Sequence, residues 1–418
     1  MQKPLVGACV FGQSGGPTSV INASAYGVIR AALDSEHITN VYGAAHGIVG
    51  ILEGNLYDMS AEDANELELL LHTPSSALGS CRYKLADFTV DDTDYKKILA
   101  LFERLNVRYF FYNGGNDSMD TCSKISRYFK EVGYECRVMG VPKTIDNDLF
   151  GTDHCPGFAS AARYVATSCM EIYEDARVYD IAQIVVVEIM GRHAGWLTAA
   201  SALATHAGAG PDLIYLPEID FDVETFLADV MRVYEQKGKV IIAVSEGIHD
   251  KDGKLIAEYQ SSGETKKDAF GHAQLGGLAA TLASMVKERT GAKVRAIEFS
   301  LLQRAGAHLA SGRDVAEAAL AGKTAVEAAI AGESGKMVAF SCTRDGGNYS
   351  CTPILIPLES VANVEKKLPR EWINEAGNGV NEAFIDYALP LIQGEIDPPK
   401  ENALPRFARL KKVLVDLS

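Results

Sequence analysis

Apolar residues along this chain gather in short continuous runs rather than in alternation. Residues 5–11, 107–112, 136–141, 181–189, 213–216, 240–244 and 294–299 are such runs, rich in β-branched side chains. Continuous runs predict strands buried on both faces, as in a parallel sheet. Between them, apolar positions recur with helical spacing over 19–33, 118–130, 159–173, 272–288 and 314–331. Strand, loop, helix, strand is the βαβ rhythm. It predicts an α/β protein made of doubly wound, Rossmann-like sheets. Ligands of such sheets bind at the carboxyl ends of the strands. Residues 250–268 read as an exposed excursion, and the tail from 359 onward as a turn-rich addition to the core.

The 418 residues exceed what one ordinary domain needs. Hydrophobic residues at 47% and charged residues at 23% describe a globular chain with a full core. The formal charge of −15 argues against nucleic-acid and anionic-membrane partners. Any phosphate site must then be a local basic cluster inside an acidic shell. Eight cysteines without a CxxC pair read as scattered reduced thiols. No apolar run approaches the ~20 residues that span a bilayer. No secretory signal stands at the N-terminus, so a cytoplasmic enzyme is expected.

Candidate chemistry lies where the strands end. Gly15 and Gly16 sit in a strand-to-helix loop, SGGPT, which suits an anion and equally suits a tight turn without ligand. Gly115 in GGNDS lets backbone approach a phosphate, while Asn116 and Asp117 offer hard oxygens of the kind magnesium takes. The same loop reads as an Asx turn capping a helix at Ser118. In PKTIDND, Lys143, Thr144, Asp146 and Asp148 fall within six residues. Extended backbone would aim both carboxylates the same way, one as a general base. MGRHAGW brings Arg192 for bidentate oxygen contacts. His193 there reads as a histidine satisfying a buried hydrogen bond, and Trp196 as core. Glu246 follows a further strand, and Arg295, Gln303 and Arg304 surround another.

Taken together, SGGPTSVINA, LGSCRYK, GGNDSMDT, PKTIDND, MGRHAGW, VSEGI and LLQRAG resemble the phosphofructokinase family, in order, from about residue 5 to about residue 310. Length and the GGND and PKTIDND variants are more similar to its pyrophosphate-dependent branch. The resemblance implies two α/β domains with the active site between them. Residues 1–155 with about 303–360 would form the phosphoryl-donor domain, 156–302 the sugar-phosphate domain, and 361–418 an extension packed on the core. It implies magnesium, fructose 6-phosphate as acceptor at its 1-hydroxyl, and a homodimer or homotetramer. By the same resemblance Asp146 is the catalytic base, and Gly15, Gly16 and Arg82 hold donor phosphates. Asn116 stands where the family often has a metal-binding Asp. Thr144, Asp148, Met190, Gly191, Arg192, Glu246, Arg295 and Arg304 contact the sugar phosphate.

Donor choice can be argued from charge. ATP-using relatives commonly carry Gly where this chain has Asp117 and Lys143. A carboxylate at 117 takes the place and opposes the charge of ATP's α-phosphate, whereas pyrophosphate leaves that place empty. Lys143 adds a cation for the small donor. An ATP-dependent enzyme and a silent sugar-phosphate-binding regulatory subunit are the rival readings. Gln183 and Leu301 replace residues that relatives use around the sugar's 6-phosphate, which leaves His308 as a candidate. In the first helix only Arg30 matches the paired arginines of nucleotide-regulated relatives, with Tyr26 in the other place. Weak or absent nucleotide regulation is therefore expected.

Overall fold

The computed structural model describes residues 3–178, 180–181, 183–259 and 277–417. Two sheets organise it. The first takes β1 (Gly7–Gln13), β2 (Ile38–Ala44), β3 (Leu56–Asp58), β4 (Val107–Gly114) and β5 (Arg137–Pro142). The second takes β6 (Gln183–Ile189), β7 (Leu213–Tyr215), β8 (Lys239–Ser245) and β9 (Lys293–Glu298). The chain then returns to the first sheet with β10 (Lys336–Asp345) and β11 (Asn348–Pro357).

The first sheet has the order β11-β10-β5-β4-β1-β2-β3 and is parallel from β10 to β2, with an antiparallel strand at each edge. The second, β7-β8-β6-β9, is wholly parallel. The α/β reading of the apolar runs therefore holds. All seven residues of β1 and of β6 are buried. Each Val or Ile so buried stabilises the fold by about 1.5–3 kcal/mol.

Helices cover both faces of both sheets. Ile21–Leu33 and Gly312–Ile330 pack together on one face of the first sheet, with Thr93–Arg104 and Asn116–Val132 on the other. The first two cross closely because glycines meet backbone. A Cβ on Gly27 would lie 2.1 Å from the Ala319 carbonyl oxygen, and one on Gly322 2.2 Å from that of Ser24. Phe158–Arg177 packs on one face of the second sheet, and Val223–Lys237 with Leu278–Thr290 on the other.

The C-terminal stretch straddles both halves. Glu382–Ala388 joins the core under Phe158–Arg177. Further on, Asp58 N–H donates to the Val413 carbonyl and Leu414 bridges Tyr57. The expected excursion is described only to residue 259, where Asp250 caps a turn through Asp252 and Lys254 amides. Its remainder, and residues 272–276 of the helix expected over 272–288, lie outside the described residues. No helix among the described residues is long and apolar enough to cross a membrane.

Candidate active site

Strand ends position the site. β1, β4 and β5 deliver Gly15 and Gly16, Gly115 to Asp117, and Lys143 to Asp148. From the second sheet β6 and β8 deliver Met190 to Arg192 and Glu246, and the short helix Leu302–Ala305 after β9 delivers Arg304. They enclose one cleft of about 580 Å³. Of the residues singled out from sequence, Gly15, Gly16, Arg82, Gly115, Asn116, Asp117, Lys143, Thr144, Asp146, Asp148, Met190, Arg192, Glu246 and Arg304 line it.

Lys143 is the centre of the donor-side loops. Its side chain is buried and Nζ donates to the Gly16 carbonyl at 2.6 Å. Gly15 has a φ of +76°, and a Cβ there would lie 3.4 Å from Lys143 Nζ. Burial pulls the Lys143 ammonium down to about 8, against the pull of Asp146 and Asp148. Asp146 is pushed up to about 7, first by burial and then by Asp148 and Glu246, while Arg192 and Lys143 oppose the shift. Glu246 is raised by burial. Arg82 is held below the ordinary guanidinium value by burial and Arg192, and Arg304 by burial and Arg82. Arg82, Arg192 and Arg304, gathered in one cleft of a chain of charge −15, make the local basic cluster an anion requires.

Several local expectations need correction. The helix after GGNDS begins at Asn116 with Gly115 as its cap, so Ser118 is not the cap. Ser118 Oγ lies in its first turn against Gly114, where a Cβ would sit 2.0 Å away. Asp146 and Asp148 do share the cleft, but not through extended backbone. Asn147 between them is left-handed, with φ of +55°. Its amide is clamped, donating to Tyr387 Oη at 2.8 Å and accepting from Cys155 N–H at 2.9 Å. The Gly15 N–H is engaged by the Cys81 carbonyl at 3.1 Å and is not an open anion donor.

Arg295 is not in this cleft. It is exposed in the middle of the edge strand β9, several residues from the carboxyl end that meets the cleft. Gly191 lies just beneath the lining, with φ of +138° and its N–H toward Glu246 Oε1 at 3.5 Å. His193 is exposed at the cleft rather than buried. Trp196 is core, as read. Gln183 is buried within β6, Leu301 is exposed, and His308 is exposed and packs edge-on to Tyr164. Arg30 forms an exposed ion pair with Asp34 at 2.7 Å.

Two lining residues went unread in the sequence, Asn363 and Glu365. They belong to the C-terminal stretch and are held there by backbone bonding. Lys366 N–H donates to the Asp148 carbonyl at 2.7 Å, and Glu365 bridges Leu149. No motif marks them, because their place depends on pairing across more than 200 residues.

Oxygen donors fit a hard divalent cation at one point. Asp148 Oδ1 is buried with no partner. In one orientation the Asn116 amide donates to Asp148 Oδ2 at 3.3 Å. Turned over, it donates instead to the Val361 and Val364 carbonyls, both at 3.1 Å, and presents its oxygen on the side of Asp148. Two convergent oxygens in that arrangement call for a cation between them.

A profile of the phosphofructokinase family, described as "Phosphofructokinase", matches residues 9–329. The chain belongs to the phosphofructokinase family. Members of this family use a divalent metal, which the donor set above suits. The family member in hand is 46% identical over 410 residues to the pyrophosphate--fructose 6-phosphate 1-phosphotransferase of Halomonas elongata, covering 97% of this chain and 96% of that one. A protein of the same name from Methylococcus capsulatus is 44% identical, with the same coverages. Crystal structures of pyrophosphate-dependent phosphofructokinases from Marinobacter aquaeolei and Nitrosospira multiformis superpose with TM-scores of 0.88 and 0.89. Each is 39% identical to this phosphofructokinase and covers 98% or more of it.

Proposed function

We propose that this phosphofructokinase transfers a phosphoryl group from pyrophosphate to the 1-hydroxyl of fructose 6-phosphate, reversibly, as a cytoplasmic step of glycolysis and gluconeogenesis. The observation that carries the donor choice is the pair Asp117 and Lys143, both lining the cleft beside Gly15 and Gly16. The names of its relatives over nearly the full chain support the same reading.

Asp146 accepts the proton of the attacking hydroxyl. Its carboxyl, pushed up to about 7, is a base matched to neutral pH. As the sugar oxygen bonds to the terminal phosphorus, the P–O–P bridge breaks and phosphate leaves. Arg82, Lys143 and the glycine-loop backbone steady the charge on the transferring group. Asn116 and Asp148 would hold magnesium, which when bound offsets charge on the donor's oxygens. Thr144, Met190, Gly191, Arg192, Glu246 and Arg304 hold the sugar phosphate. Residues 1–155 with about 303–360 serve the donor and 156–302 the sugar. The active form is a homodimer or homotetramer. Arg295, on an exposed edge strand outside its own chain's cleft, is consistent with service to a neighbouring copy.

Initial rates with pyrophosphate and with ATP, each with magnesium and fructose 6-phosphate, test the donor. A higher kcat/KM for ATP would make the protein an ordinary kinase. Asp146→Ala should lower kcat at least about 10²-fold while calorimetry still registers fructose 6-phosphate binding.

A further inference from the structure

Away from the cleft, the hairpin of β10 and β11 carries two cysteines that the proposed reaction does not use. Cys342 and Cys351 stand directly opposite each other in the antiparallel register. Opposed antiparallel residues have Cα atoms about 4.5–5.5 Å apart. A disulfide accepts about 4.4–6.8 Å.

Cys342 is also surrounded by donors. Tyr349 Oη lies 3.4 Å from its sulfur and His154 Nδ1 3.8 Å. The His154 ring is fully buried between two carboxylates, with Nδ1 3.0 Å from Asp153 and Nε2 2.7 Å from Glu317. These partners hold the imidazole charged well above its ordinary range, against the opposing effect of burial. Two guanidinium groups complete the surroundings, Arg344 on Asp153 and Arg313 4.2 Å over the Tyr349 ring.

Thiolate character and access decide which cysteine reacts. Cys9, Cys122, Cys136, Cys155 and Cys169 are buried, and burial raises each of their thiols. Cys342 and Cys351 are partly exposed, and the Cys351 thiol together with His154 brings Cys342 down to about 6. A metal is a poorer reading of Asp153, His154 and Cys342. Asp153 is already held by Arg344 through bonds of 2.8 and 2.6 Å, and a cation there would face that guanidinium.

We propose that Cys342 and Cys351 are a redox-active pair, in which Cys342 reacts with hydrogen peroxide and Cys351 resolves the product to a cross-strand disulfide. In the first step the Cys342 thiolate attacks one peroxide oxygen. The O–O bond breaks, hydroxide leaves and is protonated to water, and the sulfur becomes a sulfenic acid. In the second the Cys351 thiol attacks that sulfur. The S–S bond forms, the S–O bond breaks, and a second water carries away the Cys351 proton. The two thiols lose two electrons and the peroxide gains them. None of this depends on the donor or the acceptor of the phosphoryl transfer.

The test uses the full-length reduced protein, hydrogen peroxide, and alkylation by N-ethylmaleimide before digestion with trypsin. Cleavage after Lys336, Arg344 and Lys366 places the two cysteines on separate peptides, 337–344 and 345–366. The expected product is these two joined, lighter by two hydrogens than their sum, before any other cysteine is oxidised. In Cys351→Ser the sulfenic acid at Cys342 should persist and be trapped by dimedone. Before oxidation, Cys342 should react with iodoacetamide at neutral pH at least about ten-fold faster than Cys81, which is also partly exposed. Recovery of Cys342 and Cys351 as separate alkylated peptides after peroxide overturns the proposal. So does earlier oxidation of Cys81 or of a buried thiol.

Discussion

The proposed transfer requires two opposite charges in the cleft at once, an ionised Asp146 and a protonated Lys143. Asp146 is active as the anion, so activity should rise as pH climbs through its raised value of about 7. Lys143 is active as the cation, so activity should fall as pH climbs through its lowered value of about 8. The fraction carrying both charges is 1/(1 + 10^(7−pH) + 10^(pH−8)). It peaks near pH 7.5 at about 0.6 and drops to about 0.09 at pH 6 and at pH 9. Therefore kcat/KM for fructose 6-phosphate should trace a narrow bell and lose about seven-fold at either side. The assay is initial rates at subsaturating sugar and constant ionic strength from pH 5.5 to 9.5. Pyrophosphate titrates in this range as well, so the decisive comparison is with Lys143→Arg. A guanidinium stays charged throughout, and pyrophosphate is the same in both series. The basic limb should move beyond pH 9 in the variant while the acidic limb stays near 7. A basic limb unchanged in Lys143→Arg, or a wild-type acidic limb near the ordinary carboxylate range, would refute this reasoning.

Asp117→Gly should raise the ratio of ATP to pyrophosphate use. Two like charges about 4 Å apart repel by about 4 kcal/mol at an effective dielectric near 20, and partial exposure halves this to about 2, or about 30-fold in relative kcat/KM. Gly247→Ala puts a Cβ 1.6 Å from the Arg192 carbonyl oxygen. Steady-state kinetics should show KM for fructose 6-phosphate rising about ten-fold or more, with KM for pyrophosphate little changed. Tyr387→Phe removes the hydroxyl that joins the Asn147 amide to the Asp153 carbonyl, both at 2.8 Å. Leaving that buried amide donor unpaired should cost about 1–3 kcal/mol in denaturant unfolding, and kcat should fall more than KM rises.

Much of this arrangement was legible because it is local. Runs such as 240–244 read as strands since every side chain in them is apolar enough to be buried on both faces. The loops that follow such runs had to reach one side of a sheet, which brought Gly15, Lys143, Asp146 and Arg192 to one cleft. What escaped was the product of long-range pairing. β2, ITNVYGA, mixes polar and apolar positions and carries little strand signal. Where the hairpin of β10 and β11 extends past the sheet, exposed and half-buried positions alternate, but Ser341, Thr343, Arg344, Asp345, Ser350 and Thr352 leave little apolar signal. Asn363 and Glu365 reach the cleft only because Lys366 pairs with Asp148. Arg295 stays out of the cleft because it lies in the middle of β9, not at the carboxyl end where the cleft opens.

The clamp on Asn147 bears on how the molecule is made. Its partner, Tyr387, comes 240 residues later. Ribosomes add about 5–20 residues per second, so the loop bearing the base waits about 12–48 s for the ring that holds it. A nascent chain can complete β1 to β5 early, yet the loop bearing Asp146 stays unclamped until Tyr387, in the last quarter, has emerged.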